Sequence, residues 1–109
     1  MTKKPIHVTA RCPIRTTLEL IGGKWKLLII QQLITNGNSR LSELQQLIPD
    51  ISQKMLIQEL KTLVESDLVV RKNFGEVPPR VEYSITKKGK NSQSLIAEMV
   101  KFAKKYEAN

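Results

Sequence analysis

Apolar residues recur every three or four positions from about residue 14 into the sixties, then every one or two, and finally at the longer spacing again. The first such stretch predicts a short helix over 14–21, with Leu18 and Ile21 three apart on its inward face and Gly22-Gly23 stopping it. A second helix is expected over 24–35. Trp25, Leu28, Ile29 and Leu33 form its buried stripe, and Leu27, Ile30 and Ile34 make it apolar nearly all round, as a central helix must be. Asn36-Gly37 provides its exit. Next, Ser42 and Gln45 stand three apart, the spacing of a capping box, at the start of about two helical turns that must end before Pro49. Ser52 then opens a fourth helix over 53–66, with Ile51 and Leu56 placed to staple its entry. Leu56, Leu60, Leu63 and Val64 face inward, and Lys54, Gln58, Lys61, Thr62 and Glu65 face outward.

Beyond Ser66-Asp67 the pattern turns strand-like, over 68–72 and again over 80–85. Gly75 and Pro78-Pro79 between them shape a loop that cannot continue a ladder, which gives a hairpin with a long tip. Thr86 is expected to cap one final helix in which Leu95, Met99, Phe102 and Tyr106 recur at spacings of four, three and four. The polar stretch 1–13 carries two prolines and no periodicity and is expected to be an arm, leaving 14–109 as one domain. The fold class is mainly α with a small β-hairpin wing. Helix, helix, short helix, helix, hairpin, helix is the order of a winged helix-turn-helix.

Composition narrows the partner. With 109 residues the chain builds one core, and 18 Lys and Arg against 10 Asp and Glu leave a formal charge of +8, which favours a polyanion. The longest uninterrupted apolar run is 27–30, far short of a membrane span, and Pro5, His7, Thr9 and Arg11 break up any signal-peptide core, so a cytoplasmic protein is expected. A single cysteine closes no intrachain disulfide, and with only one histidine besides it no metal site is expected.

Within this pattern the 53–66 helix is the candidate reader of double-stranded DNA. Lys54 and Gln58 lie one turn apart near its N-terminal end, where a docked helix reaches base edges, and Gln pairs bidentately with adenine. Gln53 and Lys61 extend the same surface, while Ser52, Ser42 and Arg40 are candidates for phosphate contacts, as are Arg71, Lys72 and Arg80 on the hairpin. Taken alone, the helix would pass for an ordinary solvated face. The locally basic hairpin shifts the balance: residues 68–90 hold six Lys and Arg against Glu76 and Glu82. Lys87 and Lys88 also fall in a first helical turn, where the macrodipole prefers acids, and an external anion would relieve that conflict.

Several of these stretches, taken together, resemble the HxlR-type regulators, relatives of the MarR group. They are Cys12-Pro13, Leu20-Ile21-Gly22-Gly23-Lys24-Trp25, Leu41-Ser42-Glu43-Leu44, Ile51-Ser52-Gln53-Lys54-Met55-Leu56, and Glu76-Val77-Pro78-Pro79-Arg80-Val81-Glu82-Tyr83-Ser84. The resemblance implies a dimeric winged-helix protein that regulates nearby genes and, in several members, senses electrophiles or oxidants. Cys12 corresponds to the cysteine that does so in some of them, and Arg11 and Arg15 beside it would favour the thiolate. A packing cysteine without chemistry is the more ordinary role, and a lone thiol can only add an electrophile or pair with its copy in a second subunit. The chain departs from the family at Gln53, often proline, at Glu59, often arginine, and at Asp67, often glycine. Glu59 would repel phosphates unless it accepts from cytosine or pairs with a neighbouring base.

No nucleophile with its base, paired carboxylates or cofactor cradle has recognisable spacing, so neither an enzyme nor a cofactor is expected. Gly22-Gly23-Lys24 lacks the flanking residues of a phosphate loop. Trp25 and Met55 suit packing better than ligand contact. The stripe Leu95, Met99, Phe102, Tyr106 suits a homodimer interface, with two readers meeting a pseudo-palindromic operator. The alternative function is a winged helix that docks on protein or RNA, although only five aromatic residues are available for stacking on bases.

Overall fold

Two glycine-marked exits and one proline turn divide the helical half of the chain into four segments, which the hairpin and two further helices complete. The computed structural model describes residues 12–108. In order these are α1 (Pro13–Ile21), α2 (Lys26–Asn36), α3 (Leu41–Leu47), α4 (Gln53–Glu65), β1 (Val69–Asn73), β2 (Val81–Ile85), α5 (Lys87–Lys90) and α6 (Gln93–Ala108). The arm expected over 1–13 lies outside the described residues as far as Arg11, as does His7, while Pro13 is the first residue of α1. Its fixed φ and missing N–H suit it to that position.

The core lies where α2, α3, α4 and the base of the hairpin converge. Ile29, Ile30, Leu33, Leu44, Leu56, Leu60, Leu63 and Val69 have at most 2% of their surface exposed. Two expected inward residues, Leu18 and Leu28, are exposed; Ile21 is buried as expected, and on α2 Ile30 is buried as fully as Ile29. Each helix has more than one apolar face, and only the face opposed by another element is covered. α2 ends on Gly37, whose φ of 76° is the left-handed conformation glycine adopts without strain, and whose N–H donates to the Leu33 carbonyl.

The cap of α3 is also displaced from its expected place. The helix begins at Leu41, so the N-cap is Arg40, whose backbone N–H donates to Glu43 Oε1 at 2.7 Å. Ser42 therefore lies inside the first turn, and Gln45 instead donates its side-chain amide to the Ile51 carbonyl, tying α3 to the turn after it. Leu41 and Leu44 explain the earlier start, since both pack inward and are three residues apart.

The hairpin pairs antiparallel in the register Val69↔Ile85, Arg71↔Tyr83 and Asn73↔Val81. A bridge from outside the hairpin, Ser39 N–H to the Tyr83 carbonyl at 2.9 Å and Tyr83 N–H to the Ser39 carbonyl at 2.8 Å, fastens it to the segment between α2 and α3. The single final helix expected after Thr86 is two. Thr86 accepts from the Gly89 N–H at 3.0 Å to cap the four-residue α5, and the chain turns at Asn91-Ser92 before α6. At Gly89 a Cβ would collide with the Leu68 carbonyl and the Ile85 side chain, so this turn packs directly on the hairpin base.

Candidate nucleic-acid interface

α4 is held by its entry. Ser52 Oγ accepts from the Met55 N–H at 3.1 Å, and Ile51 and Leu56, at 2% and 0% exposure, pack on either side of that cap. With Leu56, Leu60 and Leu63 buried, a rotation of 100° per residue turns Lys54, Gln58 and Lys61 outward, and all three are exposed, as is Gln53. Among the described residues their side chains make no hydrogen bond or ion pair. Four donor-rich side chains without internal partners thus line one surface.

Beside this surface lies an open cleft of about 790 Å³ between α3, the start of α4 and the wing. It gathers Arg40, Ser42, Gln53 and Arg80, residues separated by up to forty positions in the sequence, together with Gln45, which sequence patterning marks only as a capping residue, and Gln46, which it does not mark at all. A signal for them exists: two adjacent amides on a short polar helix just before the turn.

The wing cations differ in how far they are committed. The Arg80 guanidinium sits 3.9 Å from the centre of the Phe74 ring, and its Nε is 3.4 Å from Glu76 and 3.8 Å from Glu82. That Nε is buried without a hydrogen bond of good geometry, so Arg80 organises the wing as much as it charges it. Lys72 lies 4.8 Å from the same ring and stays exposed, as does Arg71.

Two departures from the family pattern have partners inside the fold. Glu59 lies 3.0 Å from Lys26 on α2, both side chains 15% exposed, so its carboxylate is turned away from the free face of α4. Asp67 takes φ 60°, a conformation that glycine enters freely and that Asp tolerates, and its carboxylate is 3.8 Å from Lys88. Part of the charge conflict expected at the start of α5 is thus met by a neighbouring acid. Trp25 and Met55 are half-buried against the core.

Cys12 is 7% exposed at the N-cap of α1, where its carbonyl accepts from the Thr16 N–H at 3.0 Å. Arg15 is exposed one turn on, and Arg11 lies outside the described residues. Among the described residues no group of three His, Cys, Asp or Glu could hold a metal, and no helix is long and apolar enough to cross a membrane. On α6, Ile96 turns to the core, while Leu95, Met99, Phe102 and Tyr106 are 38%, 47%, 73% and 78% exposed.

A short helix, a tight turn, a second helix with a free polar face and a braced hairpin beside it define a winged helix-turn-helix regulator of transcription. The chain belongs to the HxlR-like helix-turn-helix family, whose profile matches residues 20–109. It is similar to the HTH-type transcriptional regulator YkvN of Bacillus subtilis, with 46% identity over 95 residues that cover 87% of this chain and 80% of YkvN. The crystal structure of the HTH-type transcriptional regulator YtcD superposes with a TM-score of 0.84 at 36% identity, covering 89% of this chain and 98% of that one. The redox regulator HypR in its oxidised form gives a TM-score of 0.79 at 36% identity, covering 90% and 97%. Proteins of this family regulate transcription and are not enzymes.

Proposed function

We propose that this chain is a cytoplasmic, sequence-selective DNA-binding regulator that works as a homodimer, with 14–109 as its winged-helix domain and α6 as its dimerisation helix. The observation that carries the DNA reading is the free face of α4, where Gln53, Lys54, Gln58 and Lys61 are exposed and unpartnered among the described residues beside a cleft that Arg40 and Arg80 line. Side chains with unused donors on a helix that fits the major groove are what base and phosphate contacts require. The α6 stripe supports the dimer, because four large apolar side chains stand open to solvent on one face. Bound two-fold, the two α4 helices would enter major grooves one helical turn, ~34 Å, apart.

Enrichment of duplexes from a random pool, followed by binding across a salt series, tests this. A pseudo-palindromic site should emerge, with affinity falling steeply as salt rises. Lys72→Ala should lower the salt slope by about 0.9 for each phosphate that the lysine neutralises, whereas Gln58→Ala should relax the base preference at one position and leave the slope alone. A pool from which no duplex is enriched would return the fold to a protein- or RNA-docking role.

Similarity to the redox regulator HypR favours a second element. Cys12 caps the helix that carries Ile14 and Leu18, both about 60% exposed, so modification of its thiol would disturb a further apolar surface open to a partner subunit. Diamide or a quinone should then release the operator from the wild-type protein and not from Cys12→Ser. Release from both proteins alike, or from neither, would remove Cys12 as the sensor.

A further inference from the structure

On the free face of α4 one residue has no polar chemistry at all. Ile57 is 47% exposed and does not belong to the hydrophobic side chains packed against the core. It is the fifth residue of the helix, with Lys54 three positions before it and Lys61 four after it, both exposed. Those spacings place the three side chains on neighbouring parts of one surface. Leu56, immediately before it, is fully buried, and Ile57 lies about 100° further round the helix, at the edge of the surface that carries Lys54 and Lys61.

We propose that Ile57 reads a thymine, through contact of its side chain with the C5-methyl group. This rests on the DNA-binding role of α4 set out above and adds the identity of one base to it. An isoleucine side chain neither donates nor accepts a hydrogen bond, so the edges of adenine, guanine and unmodified cytosine offer it nothing to pair with. In unmodified DNA the thymine methyl is the one apolar group displayed in the major groove. Residues in the N-terminal half of a docked helix approach base edges most closely, and Ile57 lies there among the exposed Gln53, Lys54 and Gln58. Docking would remove the exposed part of Ile57 from water, and a thymine beneath it would supply the matching surface.

The experiment uses the full chain and a duplex enriched from a random pool. Each thymine of a half-site is replaced in turn, symmetrically in both half-sites, by deoxyuridine, which removes only the methyl group. One position should weaken wild-type binding about fourfold per half-site, the worth of one buried methyl group. At that position Ile57→Ala should be indifferent to the replacement, bind the thymine duplex about as weakly as wild type binds the deoxyuridine duplex, and keep the wild-type salt slope. Ile57→Val, which keeps the branch at Cβ and loses only Cδ1, should recover part of the discrimination. An enriched duplex in which no thymine methyl matters, or in which its loss costs wild type and Ile57→Ala the same factor, overturns the assignment while leaving DNA binding intact. Failure to enrich any duplex overturns both.

Discussion

The helices α4 and α6 carry the same kind of sequence pattern and meet opposite fates. In α4 the apolar stripe Leu56, Leu60, Leu63 is wholly buried, because α2, α3 and β1 close over it. In α6 the stripe Leu95, Met99, Phe102, Tyr106 grows more exposed along the helix, from 38% to 78%, and no residue of the helix is buried. Helical periodicity establishes that an apolar face exists. It does not establish whether the surface that covers the face belongs to the same chain. On the proposed dimer the two helices have different kinds of stability, α4 set by folding and α6 by association, and substitutions should separate them.

The largest effect is expected from Phe102→Asp. A charge in the middle of the α6 stripe should leave a folded monomer in sedimentation at micromolar concentration, and the loss of simultaneous two-site binding should weaken operator affinity at least about 100-fold. A dimer that survived would move the interface away from α6. Leu60→Ala should act on folding instead, lowering unfolding free energy by about 2–5 kcal/mol in denaturant titration, since it empties a fully buried position. Ser52→Ala removes the oxygen that accepts from Met55 N–H and should cost about 1 kcal/mol in the same assay. Smallest of all, Lys101→Ala breaks an exposed pair with Glu98 on the flank of α6 and should change stability by no more than about 0.5 kcal/mol. A larger loss there would extend the proposed dimer interface from the stripe to the flank.

What is legible in the sequence is what neighbours in sequence decide. The Ser52 cap, the Ile51 and Leu56 staple and the turn at Pro49 depend on residues within a few positions of one another, and each lies where the pattern puts it. The pattern misplaces the α3 cap by two residues because Ser42 and Gln45 imitate a capping box, while the burial of Leu41 and Leu44 requires the helix to begin before Ser42. Periodicity puts Leu18 and Leu28 inside because it offers two apolar faces without saying which one a neighbour opposes. The break between α5 and α6 accompanies the close packing of Gly89 on the hairpin, an encounter with Leu68 across about twenty residues that no local pattern announces. In the candidate interface the positions of Lys54, Gln58 and Lys61 on α4 follow from the period alone. The commitments of Glu59 to Lys26 and of Arg80 to Phe74, Glu76 and Glu82 do not, because ion pairs between elements, or across the tip of a hairpin, form only once the chain has folded.

The bridge between Ser39 and Tyr83 has a mechanical consequence. Its two hydrogen bonds clamp the base of the wing to the segment that leads into α3, and Gln45 clamps α3 to the turn before α4. The wing and the start of α4 are thereby tied to each other through α3, like the two jaws of one caliper. In the proposed dimer, a signal would therefore act on the spacing between the two subunits rather than on the angle between wing and α4 within one.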